Sequence, residues 1–223
     1  MSTQSLARIG GLLYLGVAVA GGFSEYVRTS NTVSGDAAAT ATNVAAHATL
    51  FRIAFAADLS DFTLFLGVGL ILFTILRSVN PPMAVAMLVI NAVSVAIQAL
   101  NMQNHAGALL AAGDPNGAAQ VLVFLNLHRI GYLIAQIFFG LYLLPLAYLV
   151  YRSGYFPRAI GLIVLAACAG YVGGVAVSFA ATGFESSLAT VFGLIGGLGE
   201  LTFVLWLLIR GVETRRGELA WAA

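Results

Sequence analysis

Two aspartates sit inside one apolar stretch. The segment FRIAFAADLSDFTLFLGVGLILF, residues 51–73, carries Asp58 and Asp61 one helical turn apart. Glu25 and Glu200 lie in similarly greasy surroundings. A carboxyl in hydrocarbon must pair with a cation, or keep its proton and become a possible general acid. Asp58, Asp61 and Glu200 are the candidate acids. His128 and Tyr132 are candidate orienting or proton-accepting partners. Arg52 and Arg129 are the cations expected to hold one carboxylate charged. Glu25, Gln98, Asn101, His105 and Gln136 complete a candidate substrate pocket with those two arginines. The plainer alternative for the aspartates is structural, a salt bridge to Arg52 or Arg129 that fixes helix packing. Glu25 with Arg28 three residues on reads as an interfacial ion pair.

The spacing of the polar residues supports a shared pocket. Asn91, Ser94, Gln98, Asn101 and His105 recur at helical intervals and keep to one face. His128, Tyr132 and Gln136 form a shorter stripe at i, i+4 and i+8. Lipid cannot satisfy such a stripe, so it must face protein or a wet cavity. Asp58, Asp61 and Glu200 are therefore expected to line one cavity.

These residues need helices to hold them. The chain has 223 residues, is 60% hydrophobic and only 9% charged, against about 25% charged in a soluble domain. That composition describes an integral membrane protein. Six stretches reach the roughly 20 apolar residues a spanning helix needs: 6–27, 50–77, 82–111, 121–151, 157–182 and 187–210. The first of them has the cast of a signal peptide but is read as a retained span. Asn80-Pro81-Pro82, the cluster from Gly113 to Gly117, Tyr155-Phe156-Pro157 and Gly183 separate the later spans. Ser34 or Asp36 is placed to cap a short helix between the first two. The expectation is an all-α bundle of six transmembrane helices, a single domain over residues 1–223.

Arginine placement suggests a direction. Arg8, Arg77, Arg152, Arg158, Arg210, Arg215 and Arg216 fall on the side of the two termini, against Arg28, Arg52 and Arg129 on the other. Asp36, Asp114 and Glu185 fall in loops on that other side. Basic residues favour the cytoplasm, so both termini are expected there. The carboxylates, the histidines and most intramembrane amides then lie in the outer half. An aspartate at a helix centre costs about 2.5–3.5 kcal/mol on insertion scales. Leu, Ile, Phe and Val at about −0.3 to −0.6 each can offset two of them.

Other chemistries find little support. The net charge of +1 gives no nucleic-acid footprint. The single Cys168 excludes an internal disulfide and a cysteine metal cluster. His47, His105 and His128 with Asp58 would make a plausible zinc or iron set, and His105 with His128 a haem pair, but no ligand motif accompanies them. There is no phosphate loop, dinucleotide fingerprint or nucleophile elbow, so neither metal nor cofactor is expected. Gly193, Gly196, Gly197 and Gly199 read as close helix contacts.

LFRIAFAADL (50–59), NLHRIGYLIAQIFFGLYLL (126–144), YLVYRSGYFPRAIG (148–161) and GELTFVLWLLIRG (199–211) resemble a bacterial six-helix membrane family catalogued only as a domain of unknown function. That resemblance implies a multi-pass protein of a bacterial plasma membrane. In size and character the chain is also similar in kind to small membrane-embedded terpene cyclases, which protonate an alkene or epoxide from a buried carboxylic acid. No cyclase motif matches residue by residue, so no catalytic residue is carried over from them. The combined expectation is a membrane-embedded enzyme for a lipophilic substrate, such as a prenylated one, among membrane lipids. The alternative is a proton-coupled carrier or lipophile-binding protein using the same carboxylates. A third reading is an assembly protein whose polar core only fixes packing.

Overall fold

The structure, a computed structural model, describes residues 1–180 and 187–213. Gly183, Glu185, Arg215 and Arg216 lie outside the described residues. Eight helices follow one another: α1 Thr3–Asn31, α2 Ala37–Ala46, α3 Ala48–Leu76, α4 Pro81–Ala112, α5 Ala118–Leu141, α6 Leu143–Arg152, α7 Arg158–Ala180 and α8 Ser187–Ile209. No strand occurs among the described residues. Six spans are long and apolar enough to cross a membrane, with α5 and α6 together forming the fourth. The chain is a multi-pass membrane protein.

Local chemistry sets the ends of these helices. Asn80 accepts a hydrogen bond from the Met83 N–H at 3.1 Å and Pro81 opens α4, the arrangement that satisfies a helix start without a wasted donor. Asp36, rather than Ser34, caps α2 through the Ala39 N–H at 2.9 Å. The break between α5 and α6 falls at Tyr142. Pro145 explains it, because its ring displaces the carbonyl four residues back and it has no N–H to donate.

The six spans close into a ring. Each packs against the next in sequence, α5 against α7, and α8 returns to α1. The side chain of Gln4 ties the ends together. Its amide donates to the Arg210 carbonyl at 2.8 Å and accepts from the Val212 N–H at 2.8 Å. Arg8, Arg77, Arg152, Arg158 and Arg210 therefore gather at the end of the bundle that holds both ends of the described chain.

Two hydrophobic cores occupy the ring. The larger, with Leu72, Leu76, Leu146, Val150, Phe203 and Leu207, fills the half nearer those ends. The smaller, with Val27, Val44, Phe51, Ala54, Ala108 and Val121, seals the opposite end beneath α2. The polar residues lie between them.

Candidate functional site: two buried carboxylates and a cavity

The first carboxylate is Asp58, about 15 Å along α3 from Ala48. It is 3% exposed and accepts a hydrogen bond from Nη1 of Arg28 on α1. The same guanidinium reaches outward to Glu25 Oε2, with Nη2 at 3.2 Å and Nε at 3.3 Å. Arg28 is thus clamped between a buried and an exposed carboxylate. It belongs to α1 because that helix runs four residues past the expected end at 27. On the far side of Asp58, His105 Nδ1 lies 3.9 Å from Oδ2. The other ring nitrogen, Nε2, donates to the Phe51 carbonyl at 3.0 Å, which leaves Nδ1 buried without a hydrogen-bond partner.

Arg52 and Arg129 do not hold the aspartates. Both are exposed and neither lines a cavity described here. Arg52 precedes Asp58 by six residues, which at about 100° per residue places it about 240° round the helix. Arg129 follows the inward-facing His128 directly and points away from it for the same reason.

The polar stripe of α4 is buried throughout, and most of it stitches helices together. Asn91 donates to the Phe65 carbonyl of α3 at 3.3 Å, and Ser94 to the Ala135 carbonyl of α5 at 3.3 Å. Asn101 donates to the His128 carbonyl at 2.8 Å, while His128 Nδ1 lies 3.4 Å from the Asn101 carbonyl. Gln98 differs. It donates to Ser94 Oγ at 3.2 Å, and it also lines both cavities between the helices.

The second carboxylate is Glu200, about midway along α8 and 8% exposed. No Lys, Arg or His pairs with it among the described residues. Three phenols surround it instead. Tyr14 of α1 and Tyr142 at the α5–α6 break both donate to Oε1, the latter at 3.2 Å, and Tyr171 of α7 donates to Oε2 at 2.9 Å. The Tyr14 and Tyr142 hydroxyls also lie within hydrogen-bond reach of each other, so either can donate to the other in place of Oε1. Tyr142 is fully buried at the break between α5 and α6.

Glu200 faces a cavity of about 230 Å³ to which all six spans contribute. Its walls include Tyr14, Phe65, Tyr132, Phe139 and Tyr171, with Asp61, Gln98 and Gln136 as further polar groups. A second space of about 50 Å³ adjoins it, lined by Glu25, Arg28, Asp58, Asn101 and His128. Gly21, Asp61, Gln98 and Tyr132 border both. Asp61 and Glu200 therefore share the large cavity, whereas Asp58 lines only the small one. The single pocket expected for all three is divided, because 60° of helix rotation turns Asp58 to Arg28 and Asp61 to the cavity. Gly21 makes room for Asp61: a Cβ added there would lie 3.1 Å from Oδ2.

Of the remaining candidates, His105 is fully buried and lines neither space. Tyr132 borders both yet is 45% exposed. His47 is exposed at the end of α2, its ring against the Asn43 carbonyl at 3.0 Å. No group of three His, Cys, Asp or Glu among the described residues is arranged to hold a metal. The residues that sequence reasoning missed are Arg28 and the three tyrosines.

A family profile described as "Domain of unknown function (DUF4386)" matches residues 9–211. The chain belongs to that family. The matched region includes both carboxylate sites and every residue lining the two cavities. A protein of Archaeoglobus fulgidus described as uncharacterized is 36% identical over 78 residues, which make up 35% of this chain and 44% of that protein. The chain thus spans under half the length of that relative. No solved structure matches the chain.

Proposed function

We propose that the protein is a membrane-embedded enzyme that acts on a lipophilic small molecule, with Glu200 as its general acid. The observation that carries this reading is the Glu200 carboxyl, ringed by three phenols and facing an aromatic cavity deep in the bundle. A carboxylic acid that gives up its proton must leave a stabilised carboxylate behind. Tyr14, Tyr142 and Tyr171 are donors already aimed at both oxygens, so that stabilisation is organised in advance. The aromatic walls would shield a positive centre on the substrate.

The most concrete reaction of this kind is terpene-cyclase-like. The Glu200 proton adds to one carbon of an alkene, whose π electrons form the new C–H bond. The neighbouring carbon becomes cationic. A second double bond of the same substrate supplies the electron pair that closes a carbon–carbon bond. The far carbon of that second double bond is then cationic. A proton lost from a carbon next to it to Asp61 restores an alkene, and passage of that proton from Asp61 back to Glu200 completes the cycle. The net change is isomerisation, with no cofactor needed.

Purified protein in detergent should convert neutral prenylated substrates into cyclic isomers, read by mass spectrometry and NMR. Glu200→Gln should remove this turnover while the protein still folds, since general acid catalysis alone contributes about 10²–10⁴-fold. One observation favours a second reading. The two cavities share Asp61, so Glu25, Asp58, Asp61 and Glu200 form a series from the helix ends into the bundle, as a proton-coupled carrier would require. Proton-linked solute uptake by liposomes, with no change in any prenylated substrate, would replace the enzyme by the carrier. In either case we place both termini in the cytoplasm of a bacterial cell. Tags at the two ends that are accessible from outside intact cells would reverse that orientation.

A further inference from the structure

We infer that the large cavity receives the positively charged end of a lipophilic molecule, admitted from the bilayer between α1 and α8, and that it rejects phosphorylated lipids. The ligand class rests on the cavity being the functional site proposed above; the charge preference rests on the lining alone. Two carboxyl groups, Asp61 and Glu200, face the space, with five aromatic rings around them and no Arg, Lys or His among the described residues of the wall. Arg28 borders only the smaller space and is engaged by Asp58 and Glu25. A phosphate would meet acids and phenols with no cation to neutralise it. A positive centre would meet the Asp61 carboxylate, the carboxyl oxygens of Glu200 and ring faces, all of which attract it.

Asp61 adds an independent sign of a ligand. It lies about 20 Å along α3, and no hydrogen bond or ion pair joins its side chain to another described residue. Glu200, by contrast, already has three donors. A half-buried carboxyl at that depth is left without a partner until something occupies the cavity.

The route follows from how α1 and α8 separate. They touch near one end, where a Cβ added to Gly11 would lie 2.9 Å from the Leu208 nitrogen and 3.0 Å from Leu207 Cβ. Further along they draw apart. Among the described residues, a Cβ at Gly22 would meet nothing within 4 Å, and one at Gly197 only the Tyr171 hydroxyl at 3.9 Å. Gly22, Ala18 and Leu201 line the cavity and are also exposed. The volume of about 230 Å³ falls below the roughly 300–1,000 Å³ of a site that encloses a whole drug-sized ligand. Only the end of a longer molecule fits, with its tail left in the gap and the bilayer.

Two sources share this chemistry: a ligand with a permanent amine, and a carbocation formed transiently on a neutral substrate. The test compares dodecyldimethylamine, dodecanol and dodecyl phosphate as ligands of the purified full chain in nonionic detergent, by tryptophan and tyrosine fluorescence. The amine should bind about tenfold more tightly than the alcohol, and the phosphate should not bind. Asp61→Asn should erase the difference between amine and alcohol, and Gly22→Leu should weaken both. Where Asp61→Asn does not fold, Gly21→Ala, which displaces the same carboxyl, takes its place. Equal binding of amine and alcohol, tighter binding of the phosphate, or binding unaffected by both Asp61→Asn and Gly22→Leu would each overturn the inference. If prenylated substrates turn over, inhibition by the amine competitive with them assigns the preference to a carbocation. If none turns over yet the amine binds selectively, the enzyme reading falls and the inference stands, with the amine itself as the ligand class.

Discussion

Asp58 and Glu200 are both buried carboxyls in membrane helices, and their surroundings differ in kind. Asp58 has a cation. Arg28 crosses from α1 to meet it, and Glu25 steadies the same guanidinium from the exposed side. Glu200 has only neutral donors from three other spans. An ion pair fixes a charge and joins two helices. A ring of phenols leaves the carboxyl able to change charge without losing its partners. The first arrangement suits a structural lock, the second a group that exchanges a proton.

That contrast ranks the expected effects of mutation. The largest should come from Arg28→Met, which leaves Asp58 buried and unpaired. Breaking a buried pair on one side costs about 3–5 kcal/mol, so yield and thermal midpoint in detergent should drop sharply. Arg28→Met combined with Asp58→Asn should recover most of the loss, since neither charge then remains. A double variant no better than the single one would mean that the pair is not what joins α1 to α3.

Glu200→Gln should cost less, about 1–3 kcal/mol, because the amide nitrogen is a donor and forces one phenol to turn. Midpoints of the two single variants, measured side by side, would contradict the distinction if Glu200→Gln proved the more damaging. Tyr171→Phe removes a single donor from Oε2. For a neutral carboxyl that costs about 0.5–1.5 kcal/mol, and for a carboxylate about 1.5–3; the lower range is expected, by chemical denaturation. Arg52→Ala should be the mildest, within about 0.5 kcal/mol, because the side chain is exposed and about 120° round α3 from Asp58. A loss comparable to that of Arg28→Met would restore Arg52 as the partner of the aspartates.

Much of the fold could be read from residue patterns. Asn80 with Pro81, and the run of glycine and proline after Ala112, mark their helix ends through backbone geometry that any tertiary context must respect. The stripe from Asn91 to His105 showed which face of α4 turns inward, because lipid cannot satisfy five polar groups. The partners of the carboxylates were not legible. Arg28 looked interfacial beside Glu25, since an ion pair three residues apart is local and explains itself. Its link to Asp58 depends on α1 continuing to Asn31 and on which helix lies alongside α3. The tyrosines around Glu200 come from three different spans, and a lone Tyr in an apolar helix looks like packing. Pro145 carried the one available hint, because it marks a helix break at Tyr142.

The contrast between the two carboxyls can be measured directly. Infrared difference spectra of the purified protein at neutral pH, wild type minus Glu200→Gln and wild type minus Asp58→Asn, separate the two forms of a carboxyl by their stretching bands. The Glu200 difference should contain the C=O band of a protonated acid, and the Asp58 difference the paired bands of a carboxylate. Carboxylate bands in the Glu200 difference would show that it stands charged among its phenols, and would contradict its assignment as the general acid.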